Sequence, residues 1–247
     1  MRLHKIIDQR TMPAVLPSFE RHRSRLVRLA WGAIAAQALF VGGWLVFGAI
    51  EGHGYSFGRH DISDLGALTA HHVWLNLPTL GISGALTVLF AILALRPALM
   101  QADLKQPVSA WLVALSLPAL DNLSDVFFRL DCRAADRGCS MSKAAASWHG
   151  KIHVIVGTIA AVATLIAPFA LAYRMRRLDA WREMARPTLV FGILVVASLV
   201  AYGALSNTEA QGWSQKVAAV LVASGIVLLA MRVRRLAATA DTGQTSS

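Results

Sequence analysis

The chain has 247 residues, 55% of them hydrophobic and only 15% charged, with a mean hydropathy of +0.51. Soluble domains carry about 25% charged residues, so this composition excludes an ordinary soluble domain and points to the bilayer. A net charge of +10 would raise nucleic acid as a partner, but the basic residues flank apolar runs without interleaved aromatics, which argues against it.

Residues 1–28 hold seven basic residues from Arg2 to Arg28, broken by Pro13 and Pro17, with no short apolar core and cleavage site. They read as a basic cytoplasmic tail and not as a signal peptide. A helix needs about 20 mostly apolar residues to cross the hydrocarbon. Runs at 29–50, 74–95, 107–128, 149–173, 187–205 and 213–231 meet or approach that length. The prediction is an all-α polytopic bundle of about six transmembrane helices over 29–231. No alternating pattern of a barrel is present. Residues 232–247 are basic at first, then small and polar, and read as a disordered cytoplasmic tail.

Of the 24 Lys and Arg residues, 17 fall on the tails and even-numbered connectors. The positive-inside rule then places both termini in the cytoplasm. Arg174, Arg176, Arg177 and Arg182 read as an anchor, with phosphate or lipid-headgroup binding as the alternative. Cys132 and Cys139 fall on the opposite side, where disulfides persist, and their spacing closes a small loop. A disulfide is expected.

The polar residues at membrane depth carry the chemical question. At 1.5 Å per residue from Pro107, Asp121 lies about 21 Å along a straight third helix and Asp125 about 27 Å. His153 lies about 8 Å down the fourth helix from Trp148, with His149 near the surface. Asp121 and Asp125 are i, i+4, as are His149 and His153, so each pair shares one face. Antiparallel packing would set Asp121 against His153 and Asp125 against His149.

Asp121, His149 and His153 are candidate ligands for zinc or another divalent ion, with Asp125 or Asp64 orienting water. The same groups also suit metal-free acid–base pairs, a helix-to-helix lock, or a proton path. Ser124 reads as a solvated helix-end serine, with nucleophile or ligand as the alternative, and Asn76 as an interhelical hydrogen-bonding group. Gly81, Gly84 and Gly192 read as close-packing positions, and Pro118 is expected to kink the third helix.

The loop HDISDLGA, followed by Trp74-Leu75-Asn76 and a Gly-rich second span, resembles the family catalogued as domain of unknown function 998. The stretch from Asp131-Cys132 to Cys139, then Ser147 and HGKIH, is similar to that family's second block. The resemblance covers about residues 30–230. It implies a six-helix membrane protein of bacteria or archaea, hence an inner-membrane location, and implies no activity.

A looser similarity is to the alkaline-ceramidase and progestin-receptor-like membrane hydrolases, which hold zinc near one membrane face with seven spans. Two functions therefore stand as expectations. One is a metal-assisted hydrolase acting on a lipid, with Asp121, Asp125, His149, His153 and Asp64 as its site. The other is a non-enzymatic membrane protein, such as a small transporter, lipid-binding protein or partner subunit, whose Asp/His pairs lock helices. Membrane lipids are the expected partners in both.

Overall fold

A computed structural model describes residues 23–52, 54–101 and 104–239. The chain is helical, and no strand occurs among the described residues. The long helices are α1 (Arg23–Ile50), α2 (Val73–Phe90), α4 (Trp148–Met175), α5 (Arg182–Ala204) and α6 (Gln211–Thr239), with the short α3 (Val108–Ala114) between α2 and α4. With the turns that extend them, five of these are long and apolar enough to cross a membrane. They are hydrophobic nearly all round, as helices facing both lipid and a core must be.

The third expected span is not a continuous helix, so only five unbroken helices among the described residues have the length and apolarity to cross a membrane. α3 ends at Ala114, Ser116 is extended at φ −73° and ψ 168°, and the chain resumes in a wide i→i+5 turn from Leu117 to Asp121. The cause is local. Pro118 has no N–H to donate and its ring crowds the carbonyl four residues back, that of Ala114. The Leu117 N–H, freed by the break, donates to Thr164 Oγ1 of α4 at 3.0 Å, so a neighbouring helix satisfies what the broken one cannot. One helical turn follows at Asn122–Ser124, and Val126–Phe128 leave the helix.

Among the described residues the core lies in two larger clusters and a small third one, of Ala67, Leu130 and Ala144, beside the cysteines. At the basic end, Leu26, Ala30, Phe90, Leu95, Trp181 and Val233 belong to one buried cluster, and Trp181 Nε1 donates to the Ala98 carbonyl at 2.9 Å. At the other end, Phe40, Trp44, Ile62, Leu65 and Leu80 form a second. Alanines at 30, 33 and 36 are wholly buried, letting helix backbones approach closely.

The polar connector from Glu51 to His72 folds back over the bundle mouth. Ile62 N donates to Gln215 Oε1 at 2.6 Å, Trp213 N to the Gly58 carbonyl at 3.0 Å, and Leu68 N to the Leu130 carbonyl at 2.9 Å. The C-terminal stretch expected to be disordered from residue 232 continues α6 to Thr239. Its arginines explain the extension: Arg232 pairs with Glu183 at 2.5 Å, and Arg234 lies 4.5 Å from the Trp31 ring centroid. Residues 240–247, and 1–22 of the N-terminal tail, lie outside the described residues.

Candidate functional site

Breaking the third segment fixes where its acids go. Once the chain leaves the helix after Asp125, the carbonyls of Phe127 and Phe128 have no intrahelical donor. Two α4 histidines sit against them: His149 Nδ1 lies 3.1 Å from the Phe127 carbonyl and His153 Nδ1 3.3 Å from that of Phe128. His153 Nδ1 is also 2.9 Å from Asp125 Oδ1, and both side chains are largely buried.

The pairing is thus shifted by one helical turn from the expected one. Asp125, not Asp121, meets His153, and His149 meets no carboxylate of this segment. The straight-helix rise overestimated how far Asp125 travels, because the break and the wide turn shorten the path. The His149 ring lies against that of Trp148, centroids 3.6 Å apart and planes tilted by 35°, and is half-buried.

Asp121 points at α4 one turn further in. A Cβ added at Gly157 would lie 3.4 Å from Asp121 Oδ1, and that oxygen is buried without a hydrogen-bond partner. Among the described residues no three His, Cys, Asp or Glu side chains gather as a metal shell would require. The expected shell of Asp121, His149 and His153 is therefore not assembled, because the carbonyl of Phe127 and the ring of Trp148 hold His149 aside. Ser124 Oγ donates to the Asp121 carbonyl at 2.9 Å, the back-bond of an ordinary helical serine.

The start of α4, on which His153 depends, is fixed by its cap. Ser147 Oγ accepts from Gly150 N at 3.1 Å. It also donates to Asp131 Oδ1 at 2.6 Å, while Ser147 N donates to Asp131 Oδ2 at 2.7 Å. An N-cap serine held by a carboxylate secures two groups of the helix end at once. These hydrogen bonds, the Ser147 hydroxyl foremost, hold the Asp131 carboxyl below the usual range. Cys132 and Cys139 form the expected disulfide just beyond.

Asp64 belongs to a different cluster, a clamp between the first and second outer loops. Glu51, 1% exposed, receives Arg133 Nη1 at 2.6 Å and the backbone N–H groups of His71 and His72 at 2.9 and 3.3 Å. Arg133 also donates twice to Asp136 Oδ1, at 3.0 and 2.6 Å. Asp64 Oδ1 accepts from Ala134 N at 3.0 Å, and its other oxygen is buried without a partner.

A third group joins this loop to α5 and α6. Asp61 Oδ2 accepts from Tyr202 OH at 2.7 Å and Gln211 Nε2 at 3.1 Å. Lys216, 2% exposed, donates to the carbonyls of His60 at 2.8 Å and Phe57 at 3.0 Å. Burial raises the Asp61 and Tyr55 groups and lowers His60.

Sequence reasoning missed the roles of Glu51, Arg133, Tyr202 and Lys216. The one signal available was Lys216 itself, a lone lysine a turn inside an apolar span, where an ionisable residue normally has a specific partner.

Burial pushes the Asp64 carboxyl up to about 6, against the Ala134 N–H; Asp61 and Asp136 raise it further and Arg133 lowers it. An acid whose folded value is raised costs stability once it must ionise, so that cost is absent at low pH. It grows from about pH 4 and is complete above about pH 6. Asp64→Asn keeps the acceptor oxygen for Ala134 and removes the charge. We expect it to stabilise the protein at pH 8 by up to about 2–3 kcal/mol and to be neutral at pH 4. Unfolding curves at the two pH values check this, and an equal effect at both would refute it.

A family model described as Protein of unknown function (DUF998) matches residues 33–232. Neither the curated proteins nor the solved structures contain a match.

Proposed function

The chain belongs to the DUF998 family, whose description names no activity, and we propose from its own side chains that it is a multi-pass membrane protein with an acid–base site at Asp121, Asp125 and His153. The basic end faces the cytoplasm, on the positive-inside argument, and the site lies in the opposite half of the bundle. The membrane in question is the bacterial inner membrane.

The observation that carries this reading is the 2.9 Å contact of Asp125 with His153 beside a buried, unpartnered Asp121 oxygen. The Phe128 carbonyl on Nδ1 favours the tautomer protonated there, the Asp125 carboxylate beside it stabilises the imidazolium, and the other ring nitrogen is left to exchange protons. The chemistry that suits such a dyad is hydrolysis of a lipid-borne bond. Water gives a proton to His153 as its oxygen attacks the acyl or phosphoryl centre, and the imidazolium returns that proton to the leaving group. Asp121, with a lone pair unclaimed by the protein, orients the water.

The second reading, a helix-to-helix lock, is favoured by a specific observation: both imidazoles also lie on the helix-end carbonyls of Phe127 and Phe128. Asp121→Asn separates the two, because its oxygen makes no bond that a lock would lose. Purified wild type, Asp121→Asn and His153→Gln are assayed for turnover of fluorogenic lipid esters and phosphodiesters and for thermal stability. We expect wild-type turnover, a loss of about 10²–10⁴ in His153→Gln, and a loss in Asp121→Asn with its melting temperature unchanged. A wild type inert on every lipid, with only His153→Gln destabilised, would establish the lock instead.

A further inference from the structure

A second feature lies away from the Asp/His site, in the half of the bundle at the basic end. Residues of the third segment, α4, α5 and α6 line a crevice of about 100 Å³. Counted back from Met175, Leu171 and Thr164 on its α4 wall lie about 6 and 16 Å in from the end of that helix. That is within one leaflet's share of the ~30 Å hydrocarbon.

Its shape follows from local packing. The break in the third segment leaves only Val113 and Ser116 of that segment on the wall. α5 is the least embedded of the long helices, with 11% of its most apolar window buried against 33–39% in the other four. It meets α6 by laying Phe191 over Gly225, where an added Cβ would lie 2.5 Å from the ring. It meets α4 through Gly192, where such a Cβ would lie 3.1 Å from Pro168 and 3.2 Å from Phe169. Leu228 stands exposed at the mouth.

No charged side chain is among the described lining residues, and each hydroxyl on the wall already gives its proton to the protein. Ser116 Oγ donates to the Val113 carbonyl at 2.6 Å and Thr188 Oγ1 to Met175 Sδ at 3.4 Å. Thr164 Oγ1 donates to the Ala160 carbonyl at 2.8 Å while accepting from Leu117 N. A headgroup, a sugar or an ion would surrender its water there for little in return.

We propose that this crevice seats one acyl chain of a glycerophospholipid from the leaflet at the basic end. It is smaller than the roughly 150 Å³ cavity that takes a benzene ring, so a flexible chain suits it and a fused-ring lipid does not. The hydrocarbon outside is equally apolar, so the gain is close packing: a seated chain supplies van der Waals contacts along the wall. This needs the membrane placement but not the Asp/His chemistry, so the two stand or fail separately.

The test reconstitutes the full chain into vesicles holding a trace of phosphatidylcholine with a diazirine halfway along one palmitoyl chain. After illumination, labelled peptides are mapped by mass spectrometry. Label on residues 164–171 and 188–195 should exceed at least fivefold that around Trp31 and Leu89, which are exposed outside the crevice. Ala167→Leu and Val222→Phe, which fill the crevice from its wall, should each cut that label at least fivefold. Added lipid should no longer raise their melting temperature as it raises that of the wild type. Phosphatidylglycerol carrying the same photoactive chain should label the crevice equally. Uniform labelling of crevice and controls would reduce the signal to ordinary lipid contact and overturn the site. Labelling that follows the headgroup would overturn recognition by the chain, and equal labelling by a diazirine sterol would overturn the preference for a chain over rings. If neither filled variant folds, the wild-type map alone decides.

Discussion

Replacing Arg133 with methionine is expected to destabilise the protein by about 3–5 kcal/mol, the usual cost of leaving a buried charge without its partner. Arg133 is 3% exposed and Glu51 1% exposed. Without the guanidinium, Glu51 keeps two backbone N–H groups and a 3.5 Å contact with His72 Nδ1, and Asp136 loses both charged donors. Most of the cost is the stranded Glu51 carboxylate, so the double variant Arg133→Met/Glu51→Gln should recover more than half of it. Equilibrium unfolding in mixed micelles measures both. A single-variant loss below about 1 kcal/mol, the scale of an exposed pair, would show that the clamp is a surface feature. No recovery in the double variant would show that packing, not charge, is what Arg133 provides.

That clamp also marks where the sequence stops being readable. Length and hydropathy find the five long helices because a membrane span is a property of composition over one continuous segment. The Cys132–Cys139 disulfide is legible for a similar reason, since both partners sit in one short loop. Arg133 and Glu51 are 82 positions apart, and nothing local to either names the other. The third segment shows the intermediate case. Pro118 announces a disturbance, but its extent depends on Thr164, a hydroxyl on another helix that takes up the freed Leu117 N–H.

The same break explains why the site was half legible. The i, i+4 spacings correctly bring an Asp of the third segment to a His of α4. The register between them rests on a uniform rise that the wide turn at Leu117–Asp121 violates. The packing of the outer loop is not legible either, because Glu51, Asp61 and Asp64 find their partners on distant elements, at Arg133, Tyr202 and Ala134.

Gly84 controls whether that third segment can sit where the site needs it, and Gly84→Ala is expected to be among the most damaging small substitutions in the bundle. A Cβ there would lie 2.5 Å from Leu123 N, 2.7 Å from the Ala119 carbonyl oxygen and 2.9 Å from Leu123 Cα. All three are backbone atoms, so no side-chain rotation relieves the clash and the whole Leu117–Ser124 stretch must move away from α2. At Gly81, one turn earlier, the added Cβ would meet Val126 Cγ2 at 2.6 Å, a methyl that a smaller residue removes.

Overpacking typically costs about 1–3 kcal/mol, and the backbone contact puts Gly84→Ala at or above the top of that range. Gly81→Ala should lose less and should be rescued by Val126→Ala, whereas no such neighbour exists to rescue Gly84→Ala. Displacing Leu117–Ser124 also carries Asp121 and Asp125 away from α4. Any acid–base turnover should therefore fall in Gly84→Ala even at temperatures where the protein stays folded. Thermal melts and turnover of the two glycine variants, each with and without Val126→Ala, resolve the matter. If Gly84→Ala melts no lower than Gly81→Ala, the close approach of α2 to the broken segment is not what holds the site together.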